Sequence, residues 1–213
     1  MKKIFVKKVL TATLISTFSL QMMYLVFIEP TTVTAATVTD DVIVTLTVDS
    51  GITITSPSDV TMSPHMGVSA NSSIGTAVWN VKTNHAIGYS LGVKASSAPA
   101  LVSGTNSFAD YQTGAPTVWA PPASTYQFGF SAFGTTVPTA TWGTGASCGV
   151  AGVPTSTLKY KGFTTTNAVI ATQATPTTPS GVDSTVCFAA AQNGVYAPSG
   201  TYTATITATA TEL

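Results

Sequence analysis

Between Gly200 and Leu213 the chain reads GTYTATITATATEL, with Thr at every odd position from Thr201 to Thr211. Strict alternation of two residue classes cannot put one class on one side of a helix, whose faces repeat about every 3.6 residues, but it does so in a strand. Tyr202, Ala204, Ile206, Ala208 and Ala210 then share one face, and the threonines share the other. The first face is expected to point inward. It is mostly Ala, which lets a facing sheet come close or leaves room for large residues such as Trp79, Phe128 or Phe130. The Thr face tolerates water, while β-branching at each position stiffens the chain in an extended form. Val42–Val48 repeats the logic, with Val42, Val44, Leu46 and Val48 on one side and Ile43, Thr45 and Thr47 on the other.

Similar short runs recur between clusters of Gly, Pro, Asn and Ser. They cover Val42–Val48, Ile52–Thr55, Ala77–Thr83, Gly88–Lys94, Tyr126–Phe133, Leu158–Phe163, Thr185–Ala190 and Thr201–Thr211. No segment shows a sustained helical period, and the 40 threonines favour strands over helix. The expectation is an all-β protein: a single immunoglobulin-like or related antiparallel β-sandwich over residues 36–213, with eight runs enough to complete it. Ala77–Thr83 and Gly88–Lys94 are expected to pair as a hairpin across the loop containing His85. Ala95–Thr125 and Thr164–Ser184, rich in Pro, Ser, Thr and Gly, are expected to be long surface loops, with or without short extra strands.

Charge is scarce and unevenly placed. Arg is absent, and four of the eight lysines fall in the first eight residues. From residue 36 onward, Lys82, Lys94, Lys159 and Lys161 face seven acids, so the basic stripe that phosphate binding requires is missing and nucleic acid is excluded as a partner. The N-terminal lysines instead precede an apolar stretch from Val9 to Ile28, with a small-residue Val33-Thr34-Ala35 site beyond it. This is the pattern of an export signal over residues 1–35, cleaved after Ala35 or Ala36, or else kept as a membrane anchor. Either form places the remainder outside the membrane, at the cell surface or beyond it, with membrane contact only through that segment. In an oxidising compartment Cys148 and Cys187, the only two cysteines, are expected to form a disulfide.

Soluble sheets protect their edges with Lys, Pro, bulges or covering loops. Here the first and last runs are long, Thr-rich and free of Lys, so their edges are paired, covered or used to accept a strand from another subunit.

The stretches VTLTVDSGITITSPSDVTMSP, TAVWNVKTNHAIGYSLGVKAS and SGTYTATITATAT resemble, in order and spacing, two kinds of bacterial surface β-sandwich. One is the WxL-type cell-wall-binding domain, approximated here by Trp79-Asn80-Val81; the other is the spore-coat-U and pilin-like family, which ends on a comparable Thr ladder. The resemblance implies a non-catalytic structural or adhesive protein. Its partners are a cell-wall or surface polymer, or other surface-protein subunits.

Other motifs carry less. Gly145-Ala146-Ser147-Cys148-Gly149 matches a nucleophile elbow, but that motif needs a following helix and a later His, and both His65 and His85 lie upstream. A turn leading into the disulfide explains it better, and no enzyme is expected. His65 and His85 read as solvated turn residues. Asp40, Asp41, Asp49 and Asp59 lack a calcium-loop spacing, so neither metal nor cofactor is expected. Asn71-Ser72-Ser73 is a chance sequon in a bacterial exported protein. The second functional expectation is a glycan-binding module. Tyr111, Trp119, Tyr126, Trp142 and Tyr196 fall in or beside loops, where rings either stack on sugar faces or cap an open end of the core.

Overall fold

Alternation of small or β-branched residues with large apolar ones produces two long strands. In Ser72–Thr83, Ala77, Trp79, Val81 and Thr83 are buried while Thr76, Val78 and Lys82 are exposed. The run TVCFAAA inside Val182–Asn193 is apolar at almost every position, and accordingly that strand is buried on both faces at the centre of a sheet. The computed structural model describes residues 37–213, together with Ser16, Phe18, Gln21 and Met22, which are helical. The rest of the expected export segment, residues 1–35, lies outside the described residues. Contacts divide the chain into Met1–Thr47 and Val48–Leu213.

The second unit is nearly all β. In chain order its strands are β1 (Ile52–Thr55), β2 (Ser72–Thr83), β3 (Tyr89–Ala95), β4 (Val102–Ser103), β5 (Asn106–Ser107), β6 (Ala109–Asp110) and β7 (Thr117–Val118). There follow β8 (Thr125–Phe133), β9 (Gly149–Val150), β10 (Val153–Pro154), β11 (Lys159–Tyr160), β12 (Ala168–Gln173), β13 (Val182–Asn193) and β14 (Ile206–Glu212). A single helical turn, Thr139–Trp142, interrupts them.

A five-stranded sheet has the order β1-β2-β13-β8-β6, and a three-stranded sheet the order β12-β3-β14. All their pairings are antiparallel except β6 with β8. Inward residues of both sheets meet in one apolar core. Trp79, Val81, Phe128, Phe130, Val186 and Phe188 come from the larger sheet, and Tyr89, Leu91, Val93 and Ile170 from the smaller.

β13 also buries its opposite face. Cys187 and Ala189 join Tyr111, Cys148, Leu158 and Tyr160 in a second cluster, roofed by the chain between β3 and β8 and by the chain after β8. Two glycines permit that close cover. A Cβ on Gly129 would lie 2.8 Å from the Lys161 carbonyl oxygen and 2.9 Å from Tyr111 Cβ, and one on Gly162 would lie 1.8 Å from the Tyr111 carbonyl oxygen.

Several expectations are corrected here. Val42–Val48 is not a strand: residues 37–50 carry no regular structure, and the apolar side chains of Val42, Ile43, Val44, Leu46 and Val48 are between 74% and 91% exposed. Ala77–Thr83 and Gly88–Lys94 do not pair as a hairpin, because β2 and β3 belong to different sheets and the intervening residues cross the core. Gly88 makes the crossing with φ 78°, where a Cβ would lie 1.9 Å from the Gln173 carbonyl oxygen. Of the two loop segments, Thr164–Ser184 contains edge strand β12, and Ala95–Thr125 holds the short strands that the sequence left open. Leu158–Phe163 retains only the two-residue β11, and Thr201–Thr211 shortens to β14.

Candidate functional site

Cys148 and Cys187 form a disulfide, with Cα atoms 5.2 Å apart across a sequence separation of 39. It ties the covering chain to the central strand. Around it, the Thr76 hydroxyl donates to Cys148 Sγ at 3.2 Å, and the buried Tyr160 hydroxyl donates to the Cys148 carbonyl at 3.2 Å. Burial pushes the Tyr160 phenol well above its ordinary range. Ser147, the would-be nucleophile, accepts from the Gly149 N–H at 3.3 Å within the turn that leads into this bridge.

The five aromatics singled out as a sugar platform do not share a surface. Trp142 is 2% exposed and packs on Phe130 with ring centroids 5.2 Å apart. Tyr111 is 5% exposed; its hydroxyl donates to the Val118 carbonyl at 2.8 Å and accepts from the Ala120 N–H at 3.1 Å. Trp119 is half-buried between Tyr111 and Tyr160, and Tyr126 packs edge-on against Phe108. Tyr196 alone of the five is exposed. Tyr111 and Trp119 pack in the covering layer over β13, whereas Trp142 and Tyr126 pack against the main core.

What remains open is a sheet edge. Along β14 the inward set Ile206, Ala208 and Ala210 is only partly buried, and Thr207, Thr209 and Thr211 are exposed, so the partition read from the sequence holds. β14 pairs with β3 on one side and, among the described residues, with no strand on the other. The Ser96 N–H donates to the Thr205 carbonyl at 3.0 Å, and the Leu213 N–H to the Gly88 carbonyl at 3.3 Å. These odd-numbered positions are therefore bonded to β3, and the alternation of an antiparallel ladder turns the N–H and C=O groups of Ile206, Ala208, Ala210 and Glu212 toward the free side. β1, likewise paired on one side only, lies beside β14, with the Ser50 hydroxyl donating to Glu212 Oε1 at 2.9 Å. Its Ile52 and Ile54 are also only partly buried against the core.

Residues 49–51 are fastened at one end of this edge. The Gly51 N–H donates to Asn84 Oδ1 at 2.7 Å, Asn84 Nδ2 donates to the Asp49 carbonyl at 2.8 Å, and the Thr83 hydroxyl donates to the Gly51 carbonyl at 2.9 Å. Sequence reasoning recognised the Ala-Thr alternation of β14 and left open whether its far edge is paired, covered or used; pairing partners leave no local signal. No group of three or more His, Cys, Asp or Glu side chains is placed to hold a metal ion among the described residues. No family model, curated protein or solved structure matches the chain.

Proposed function

We propose that this chain is an exported bacterial surface protein whose Val48–Leu213 unit is an immunoglobulin-like β-sandwich serving as a structural subunit rather than a catalyst. It joins other surface-protein subunits through the free edge of β14. The observation that carries this reading is the outward row of N–H and C=O groups on Ile206, Ala208, Ala210 and Glu212, on a strand with no Lys, Pro or bulge to block pairing. Such an edge is a template for another strand. The Cys148–Cys187 bridge suits an extracellular setting.

Light scattering over a range of protein concentrations tests it. The native chain is expected to gain mass with concentration. Ala208→Pro, which removes one outward N–H and leaves the bonds to β3 in place, is expected to stay monomeric with its fold intact. A native chain that is monomeric at every concentration refutes the reading.

A further inference from the structure

Three hydroxyls, those of Tyr89, Thr136 and Ser184, are enclosed at one end of the main core, and none has a hydrogen-bond partner among the described residues. The fold brings them together from three directions. Ser184 lies in β13 on the same face as Val186 and Phe188, which enter the main core, and it pairs in register with Trp79 of β2. Tyr89 opens β3 in the facing sheet and is fully buried, as Ser184 is. Thr136 belongs to the connection after β8, which is held against both sheets. A Cβ on Gly134 would lie 2.8 Å from the Asp183 carbonyl oxygen and 3.5 Å from Ser184 Cα. The Thr172 N–H donates to the Thr136 carbonyl at 3.1 Å, one residue before the Gln173 that pairs with Tyr89. Burial raises the Tyr89 phenol above its ordinary range, and the nearby Thr136 and Ser184 hydroxyls act against that shift.

We propose that these three hydroxyls hold one internal water molecule, which joins the two main sheets at this end of the core. Hydroxyls gathered this closely without bonding one another are the arrangement that a bridging water produces. Unbonded hydroxyls in an apolar interior are costly, and buried polar groups are almost always paired with protein or with ordered water. Water suits the site chemically. It donates twice and accepts twice, so three hydroxyls, each able to donate or accept, use three of its four bonds, the usual number for a buried water. An ion does not suit it, since neutral hydroxyls bring no charge to offset one taken out of solvent.

The position gives the water a task. Tyr89 pairs with Gln173 at the end of β12 and with Glu212 at the end of β14, so a bridge from Tyr89 to Ser184 ties the smaller sheet to the central strand of the larger one. Ser131 supplies the contrast. Its hydroxyl is also buried and unpartnered among the described residues, but it pairs in register with Cys187 and faces the covering layer, on the other side of the sheet.

A crystal structure of the purified protein, at a resolution that places ordered solvent, is expected to show one water within roughly 2.7–3.2 Å of all three hydroxyl oxygens. In solution, Ser184→Ala and Tyr89→Phe each strip one bond from that water and are each expected to lower the melting midpoint by roughly 2–4 °C, the shift that one lost hydrogen bond gives in a chain of this size. Combined, they are expected to cost less than the sum of the two, because they share the water. Ser131→Ala is expected to move the midpoint the other way. Hydroxyls that bond directly to one another with no water between them overturn the proposal. So does a Ser184→Ala variant that is stabilised as Ser131→Ala is, since removal relieves an orphaned hydroxyl and weakens a water-bonded one.

Discussion

Replacing both Cys148 and Cys187 with Ala measures how far the covering layer depends on its one covalent tie. The bridge closes a loop of 39 residues, for which chain-entropy arguments give about 4 kcal/mol of stabilisation through the unfolded state. Cys187 is fully buried and Cys148 nearly so, and loss of their sulfur atoms from a packed cluster with Leu158, Tyr160 and Ala189 adds about 1 kcal/mol. A loss near 5 kcal/mol is a large fraction of the roughly 5–15 kcal/mol that holds a domain folded. For a chain of this size it lowers the melting midpoint by roughly 10–20 °C. Alanine is the right replacement, because a serine would add an unpaired hydroxyl beside β13 and confuse the result. Urea unfolding followed by tryptophan emission suits the case, since Trp119 packs on Tyr111 and Tyr160 of the covering layer while Trp79 and Trp142 report the main core. The bridge joins that layer to the central strand, so the Trp119 signal is expected to change at lower urea than the other two in the variant and together with them in the native chain. A total loss below about 2 kcal/mol, with all probes still moving together, refutes the assignment of the bridge as the tie between layers.

Three further outcomes follow from local geometry. Gly162→Ala forces a Cβ to within 1.8 Å of the Tyr111 carbonyl oxygen, so a loss of about 3 kcal/mol or more is expected in equilibrium unfolding, and an unchanged midpoint shows that the covering chain does not lie this close. Ser131→Ala removes a fully buried hydroxyl that has no hydrogen-bond partner among the described residues, and is expected to stabilise the fold by about 1 kcal/mol; a destabilised variant reveals a bond to its Oγ. Asp110 has its carboxyl raised above the ordinary range, chiefly by burial and against the Ala100 N–H that it accepts at 3.1 Å. A raised acid is held protonated more tightly by the folded state, so its contribution to stability is lost as pH climbs from the ordinary carboxylate range through the raised value. Asp110→Asn is expected to remove that part of the pH dependence in melts run from acid to neutral pH, and parallel curves for the two proteins refute it.

The period of the pattern carried most of the strands, and what it could not carry was partnership. Ile52–Thr55 and Tyr126–Phe133 sit within a residue of their expected limits because β-branched or aromatic alternation bounded by Gly, Pro or Ser is a local property. The connection through Gly88 was read as a hairpin because two strands joined by a short loop usually pair; here the buried faces of β2 and β3 look at each other across the core, which no count of intervening residues reveals. β12 escaped notice because AVIATQ lies among Thr and Pro residues and only Ile170 and Ala171 of it are buried. The aromatics near loops leave two readings open in the sequence for a related reason. Proximity to Pro and Ser marks irregular backbone, and in this protein that backbone is a second layer over β13 that needs Tyr111, Trp119 and Tyr160 for its own packing.

Val42–Val48 and Ile206–Glu212 make the same point from opposite directions. Both alternate, both are short of charge, and the alternation alone assigns both to strands. Among the described residues, β14 has a neighbouring strand on one side and Val42–Val48 on neither. An amphipathic strand is a half-statement about structure: it specifies a dry face and a wet face, and leaves the chain that will supply the missing hydrogen bonds unnamed.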